Sequence, residues 1–246
     1  MLKRKMLGVS VAALSFVAIV GSGFSAWVFQ SEVRADLTIN DIQIIHATSF
    51  GTMEGDNNTY RLQLDQGDKT VATDGVKLLA KATGTDTYSD ATNVSATWNI
   101  SDASFGDLDL SKLHRYFNVY IKKSTLGKYV TTTLTAKESE TDTTDHKHNA
   151  SSEYYLYQAE ITLPANATKA QATALSYNVD GIFQYYNTAS TDKLLKPATM
   201  QEYQEMVNTL KATGVTAASD VVADTDYTVP GTNNDIILEF QVVYNN

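Results

Sequence analysis

The chain of 246 residues has no cysteine, only three prolines and only two tryptophans. Without cysteine there is no disulfide to staple the fold and no thiolate to serve as nucleophile or soft metal ligand. Scarce proline leaves long stretches free to pair as strands, because proline removes a ladder donor. Positive charge is also thin, with 19 Lys and Arg against 28 Asp and Glu and a net charge of −9. No Lys/Arg cluster follows residue 5. A surface of that sign repels phosphate backbones, anionic lipids and anionic wall polymers, so no nucleic-acid partner is expected. Catalytic signatures are missing as well. The chain has no helical His-Glu-X-X-His, no Gly-X-Ser-X-Gly elbow and no phosphate-cradling glycine loop. An enzyme is not expected, and no cofactor is implied.

What the chain does have begins at its N-terminus. Lys3, Arg4 and Lys5 precede an uncharged stretch from Met6 to Gln30, interrupted by Gly21-Ser22-Gly23. A basic start, an apolar run and small residues at the exit form an export signal. The cations stay on the cytoplasmic side while the apolar run enters the membrane. Gly23 and Ser25 stand at −3 and −1 of a cut before Ala26, which makes residues 1–25 a signal peptide and 26–246 a single domain. The same run is long enough to stay as a membrane anchor over residues 6–29. Cleavage removes three cations and no acid, which takes the net charge from −9 to −12. It also exposes an apolar tip, Ala26-Trp27-Val28-Phe29, which must be buried somewhere.

The run Ile19-Val20-Gly21-Ser22-Gly23-Phe24-Ser25-Ala26-Trp27-Val28-Phe29 resembles the signal-peptide end of TasA-type biofilm matrix proteins and camelysin-type surface proteins. The segment Ile236–Tyr244 resembles their closing strand. The resemblance covers the two ends of the chain. It implies export by a Gram-positive bacterium, removal of the signal by a dedicated peptidase, and a place at the cell surface or in the extracellular matrix of a biofilm.

Threonine and tyrosine are abundant, a composition suited to strands. Period-two alternation marks Tyr60/Leu62/Leu64, Val94/Ala96/Trp98/Ile100, Val130/Thr132/Leu134/Ala136 and Tyr155/Tyr157/Ala159/Ile161/Leu163. Further strands are expected at Leu37–Ile45, Phe117–Lys122, Leu175–Val179 and Phe183–Tyr186. The polar stretches Thr83–Thr92 and Lys137–Ser152 are expected as loops. The pattern predicts a mainly β chain, an antiparallel two-sheet sandwich of jelly-roll type. One amphipathic helix is expected near residues 199–213. Met200, Tyr203, Met206, Val207 and Leu210 share one face, Thr199 and Glu202 stand at capping-box spacing, and Gly214 follows.

Few residues have ligand character. Asp142, Asp145, His146 and His148 lie within seven positions and could hold zinc, although most such loops are simply solvated. His46 and His114 stand alone. The acidic stretch Asp102–Asp109 could bind calcium or simply turn. Tyr154, Tyr155, Tyr157, Tyr185 and Tyr186 could offer aromatic platforms to sugars or pair within the core.

Three functions remain open on this basis. The first is a secreted structural subunit of a surface or biofilm matrix fibre. In that reading the segment Trp27–Ile45 adds as a strand to the next subunit, with Trp27, Phe29, Val33, Leu37 and Ile39 filling pockets. The second is a monomeric adhesin or carbohydrate-binding module. The third, an exported metal-dependent protease, follows camelysin relatives that carry that description.

Overall fold

β-branched and aromatic residues at alternate positions pair into strands, and their order builds the sheets. The structure, a computed structural model, describes residues 38–39, 42–48, 51–65, 75–137, 153–212, 222–223 and 235–244. The chain separates into two units, Met1–Leu37 and Thr38–Asn246, and all described residues belong to the second. Its strands are β1 (Thr38–Ile39), β2 (Gln43–Thr48), β3 (Thr52–Gly55), β4 (Thr59–Leu64), β5 (Val76–Lys81), β6 (Ser89–Asp90), β7 (Asn93–Asn99) and β8 (Leu113–Lys122). They continue as β9 (Val130–Thr132), β10 (Thr135–Ala136), β11 (Tyr154–Glu160), β12 (Ala174–Asn178), β13 (Phe183–Tyr185), β14 (Val222–Ala223) and β15 (Ile236–Tyr244). Three α-helices are described, α1 (Asp102–Gly106), α2 (Lys169–Thr173) and α3 (Met200–Ala212).

The fold is mainly β and sandwich-like, as the alternation predicts. The central sheet has the order β10-β11-β8-β15-β2-β14, beside β1-β4-β5-β6, β12-β7-β3 and β13-β9. Pairing is antiparallel except that β2 runs parallel to both β15 and β14. β15 is therefore an interior strand, and Ile236–Val243 are all buried. A strand covered on both faces needs a nearly continuous apolar run, which Ile236–Tyr244 supplies.

The register assigns the two faces of the central sheet. Phe117, Val119 and Ile121 of β8 lie opposite Phe240, Leu238 and Ile236 of β15. The Phe117 ring stacks on Tyr177 of β12 at 4.6 Å between centroids. Val94, Ala96 and Trp98 of β7 are buried on the same inner side of the three-stranded sheet as Leu175. Two layers of apolar side chains thus close one core, as in a sandwich. Asp56 ties two sheets together, since its Oδ2 accepts from the Tyr60 hydroxyl at 2.6 Å and from the Ser95 N–H at 3.1 Å.

α3 forms where helical spacing places it. Tyr203, Met206, Val207 and Leu210 are buried. The capping box is present, with the Glu202 N–H donating to Thr199 Oγ1 at 3.2 Å and the Thr199 N–H donating to Glu202 Oε2 at 3.1 Å. The Tyr203 hydroxyl donates to the Leu64 carbonyl at 2.7 Å, which anchors the helix to β4.

Several expectations change in detail. The stretch Leu37–Ile45 splits into β1, on the edge of β4, and β2, inside the central sheet. The Val130–Ala136 alternation breaks at Thr133-Leu134, and β9 pairs with β13 whereas β10 pairs with β11. On β11 the buried positions are Tyr154, Leu156 and Tyr157, while Tyr155 and Ala159 are half-buried. The Thr83–Thr92 stretch contains β6, opposite Leu79 and Ala80. β3, β5, β14, α1 and α2 lie outside the segments expected from the sequence.

Candidate binding cleft

At one end of β8 the chain turns through Lys123–Thr125 into a 3-10 helix, Leu126–Lys128, and then enters β9. The turn is pinned from below. Thr125 Oγ1 donates to the buried Asp235 carboxylate at 2.6 Å, and the Lys122 N–H donates to the Asp235 carbonyl at 2.9 Å. The start of β11 joins it, with the Lys123 N–H donating to the Glu153 carbonyl at 2.8 Å. The third wall is the loop after β13, where Ser190 and Lys193 exchange backbone hydrogen bonds at 3.3 and 3.2 Å. The Leu194 N–H then donates to the Lys128 carbonyl at 2.7 Å.

These three segments enclose an open cleft of about 690 Å³, lined by Lys122, Lys123, Lys128, Glu153, Tyr155, Asp192 and Leu194 among others. Tyr155 is the one aromatic side chain in the lining that the described residues form. A Cβ built on Gly127 would lie 3.1 Å from two Tyr155 ring carbons and 2.8 Å from the Lys122 carbonyl oxygen. Only glycine lets the turn lie flat against the ring without displacement. Lys123 Nζ sits 5.1 Å and Lys193 Nζ 5.0 Å from the Tyr155 ring centroid, and Lys193 is also 5.1 Å from the Tyr186 ring. Each ammonium is drawn to the negative face of a ring, an attraction of about 0.5–1 kcal/mol at an exposed site. Beside the cleft and sharing Leu194, a second hollow of about 290 Å³ is lined by Tyr129, Leu195, Pro197 and Met206. Leu194 and Leu195 are 49% and 50% exposed, the large hydrophobic side chains most open to water in the described residues.

Of the tyrosines expected as sugar platforms, only Tyr155 lines this cleft. Tyr154, Tyr157, Tyr185 and Tyr186 are buried. Thr131 Oγ1 donates to the Tyr157 hydroxyl at 3.1 Å, and the Tyr185 hydroxyl donates to the Asp65 carbonyl at 2.8 Å. These rings are core, and the Tyr157 and Tyr185 hydroxyls serve as internal anchors. Burial raises the Tyr185 and Tyr186 hydroxyls well above the usual phenol range.

The other candidate residues are dispersed. Asp142, Asp145, His146 and His148 lie outside the described residues, as do Trp27, Phe29, Val33 and Leu37. Ile39 lies in β1 opposite Leu62. His46 lies in β2 opposite Phe240 and Ala223. His114 is on β8, with Nδ1 3.2 Å from Glu160 Oε1 and its ring parallel to Tyr116. Among the described residues no group of three or more His, Asp or Glu could hold a metal. The acidic stretch Asp102–Asp109 is used structurally. Ser101 caps α1, Asp102 meets Lys169 at 2.6 Å, and Asp109 Oδ1 accepts the Ser111 N–H at 3.0 Å.

Two buried polar groupings gave no signal in the sequence. Asn118 Nδ2 donates to Glu239 Oε2 at 2.8 Å and to Gln241 Oε1 at 3.1 Å, and the Tyr120 hydroxyl donates to Glu239 Oε2 at 2.9 Å. Gln158 Nε2 donates to Asn118 Oδ1 at 2.9 Å, so a polar ladder crosses β11, β8 and β15. Arg115 is the second. Its guanidinium donates to the carbonyls of Gln171, Ala172, Ala174 and Thr162 at 2.7–3.3 Å. Both assemble from positions that alternate correctly along a strand, and only their cross-strand neighbours reveal them.

Comparison with known proteins finds no matching family model, no matching curated protein and no matching solved structure.

Proposed function

We propose that this chain is an exported, non-catalytic protein of the bacterial surface or extracellular matrix, and that the Tyr155 cleft is its saccharide-binding site. The observation that carries the reading is the cleft itself. A partly exposed tyrosine held against Gly127 faces an open concavity with polar and apolar walls. Ring faces pack against the CH faces of sugars while flanking polar groups bond the hydroxyls. The basic, apolar and small-residue pattern of Lys3–Ser25 supports export. A glycan panel probed with the purified chain, with Tyr155→Ala beside it, tests this. Binding that falls about ten-fold or more in the variant is expected, as for a central aromatic anchor. Silence across the panel overturns the reading.

The fibre-subunit reading stands second, favoured by the way the expected exchange arm joins the fold. Thr38–Ile39 pair with Gln63 and Leu62 on the edge of a four-stranded sheet, and the Ile42 N–H donates to the Tyr60 carbonyl at 2.8 Å. An edge strand is held by one neighbour only, so an arm carrying Trp27, Phe29, Val33 and Leu37 could add to a neighbour's sheet. β2 is excluded from that arm, because Gln43–Thr48 lie between β15 and β14. Electron microscopy of the mature chain against a version starting at Thr38 tests the reading. Filaments formed by the longer chain only are expected, and filaments from both would overturn it.

A further inference from the structure

We propose that the cleft takes an acidic saccharide, a sugar chain bearing carboxylates, with Lys123, Lys128 and Lys193 meeting the carboxylates and Tyr155 and Leu194 meeting the sugar faces. This rests on the saccharide reading above and adds the charge of the ligand. The chain carries −9 overall, yet among the described residues the cleft is lined by Lys122, Lys123 and Lys128 with Lys193 over its ring, against Glu153 and Asp192, with the buried Asp235 beneath the turn. Folding concentrates positive charge there from three separate segments. Lys123 and Lys193 are both drawn to one phenol ring, at 5.1 and 5.0 Å. An anion that meets both ammonium groups gains from two cations at once. Their aromatic contacts also hold the side chains in place before binding, which reduces the rotamer entropy lost on contact.

A neutral sugar would gain hydroxyl contacts from these lysines but no ionic one. The acidic remainder of the surface does not cancel it, because charges beyond about 10 Å are screened at about 0.1 M salt. A flat bilayer would not reach Tyr155, which lines a concave space of about 690 Å³. That volume suits an oligomer better than a single small anion.

The test titrates oligogalacturonate and oligomannuronate, each beside its neutral methyl ester, and linear polyphosphate into the purified full chain. The acids are expected to bind about ten-fold or more tightly than their esters, with affinity falling as salt rises. The variant Lys128→Gln/Lys193→Gln is expected to lose about twenty-fold on the acids while staying folded at the assay temperature, with binding of the neutral esters unchanged. Equal binding of acid and ester overturns the inference and leaves the saccharide reading standing. Polyphosphate binding as tightly as the uronates overturns the sugar assignment in favour of a general anion site. If neither the uronates nor their esters bind, and the neutral glycan panel is silent too, both readings fail.

Discussion

Arg115 is the side chain whose removal should cost the domain most for its size. It is 3% exposed on β8, and its guanidinium reaches four backbone carbonyls. Two of these, Gln171 and Ala172, close the end of α2, where no further N–H of the helix can serve them. Burial pushes the guanidinium below its ordinary pKa, so desolvation already works against it. Each bond from a charged donor contributes about 1.5–3 kcal/mol, but four such values cannot be summed, because the carbonyls keep other lone pairs and the buried charge carries its own penalty. Breaking a buried charged group away from its partners costs about 3–5 kcal/mol, a large part of a total stability of about 5–15 kcal/mol.

Two variants separate the contributions. Arg115→Met keeps the apolar stem, removes the charge and leaves the carbonyls without their donor. Arg115→Lys keeps the charge, but a single ammonium cannot span carbonyls that the planar guanidinium bonds from two nitrogens. Urea unfolding followed by fluorescence should show both midpoints lowered with an unchanged slope, and Lys no better than Met. If Arg115→Lys unfolds at the wild-type midpoint, or Arg115→Met loses less than about 1 kcal/mol, the carbonyl-gathering role is wrong.

Three further outcomes are expected. Burial, aided by the neighbouring acids, raises the Tyr154 hydroxyl to about 12, and burial with Asp65 nearby raises Tyr203 to about 12. The unfolded chain releases these protons near pH 10 while the folded chain keeps them. Stability is therefore intact below pH 10 and falls between pH 10 and 12 by about 1.4 kcal/mol per unit for each group. Tyr154→Phe and Tyr203→Phe should each make the fall in unfolding midpoint between pH 10 and 12 shallower, and an unchanged fall in both would refute it. Gly127→Ala should cost about 1–3 kcal/mol by overpacking against Tyr155 and should weaken saccharide binding, seen by calorimetry, whereas unchanged binding would show that the ring tolerates displacement. Glu239→Ala should lower thermal stability by about 1–3 kcal/mol, since Asn118 and Tyr120 lose their shared acceptor, and Glu239→Gln should recover part of that loss.

Local chemistry was enough to place most elements. Alternation located β4, β7 and β11, the 3.6-residue stripe located α3, and the Thr199–Glu202 spacing located its cap. Such signals act within one strand or one turn, so a single segment displays them. β5 was missed because Val76-Lys77-Leu78-Leu79 breaks strict alternation, and α2 because five residues carry no period. Period two also shows that a strand has two faces without saying which one is inward. On β11 the odd series looked apolar, yet Tyr154 and Leu156 are the residues that pack with Tyr120 and Ile237.

The amino-acid order by itself determined a cysteine-free, acidic, mainly β chain with one capped helix and a basic-apolar leader pattern, because composition and short-range spacing carry those properties. Tertiary structure alone decided the parallel seat of β2 beside β15, the carbonyl cluster around Arg115 and the polar ladder through Asn118. It also decided the cleft, because Lys123, Lys128, Tyr155 and Lys193 become neighbours only when three distant segments are brought together. In the sequence those lysines are scattered cations on an acidic chain. The long-range pairing of strands is what gathers them on one ring.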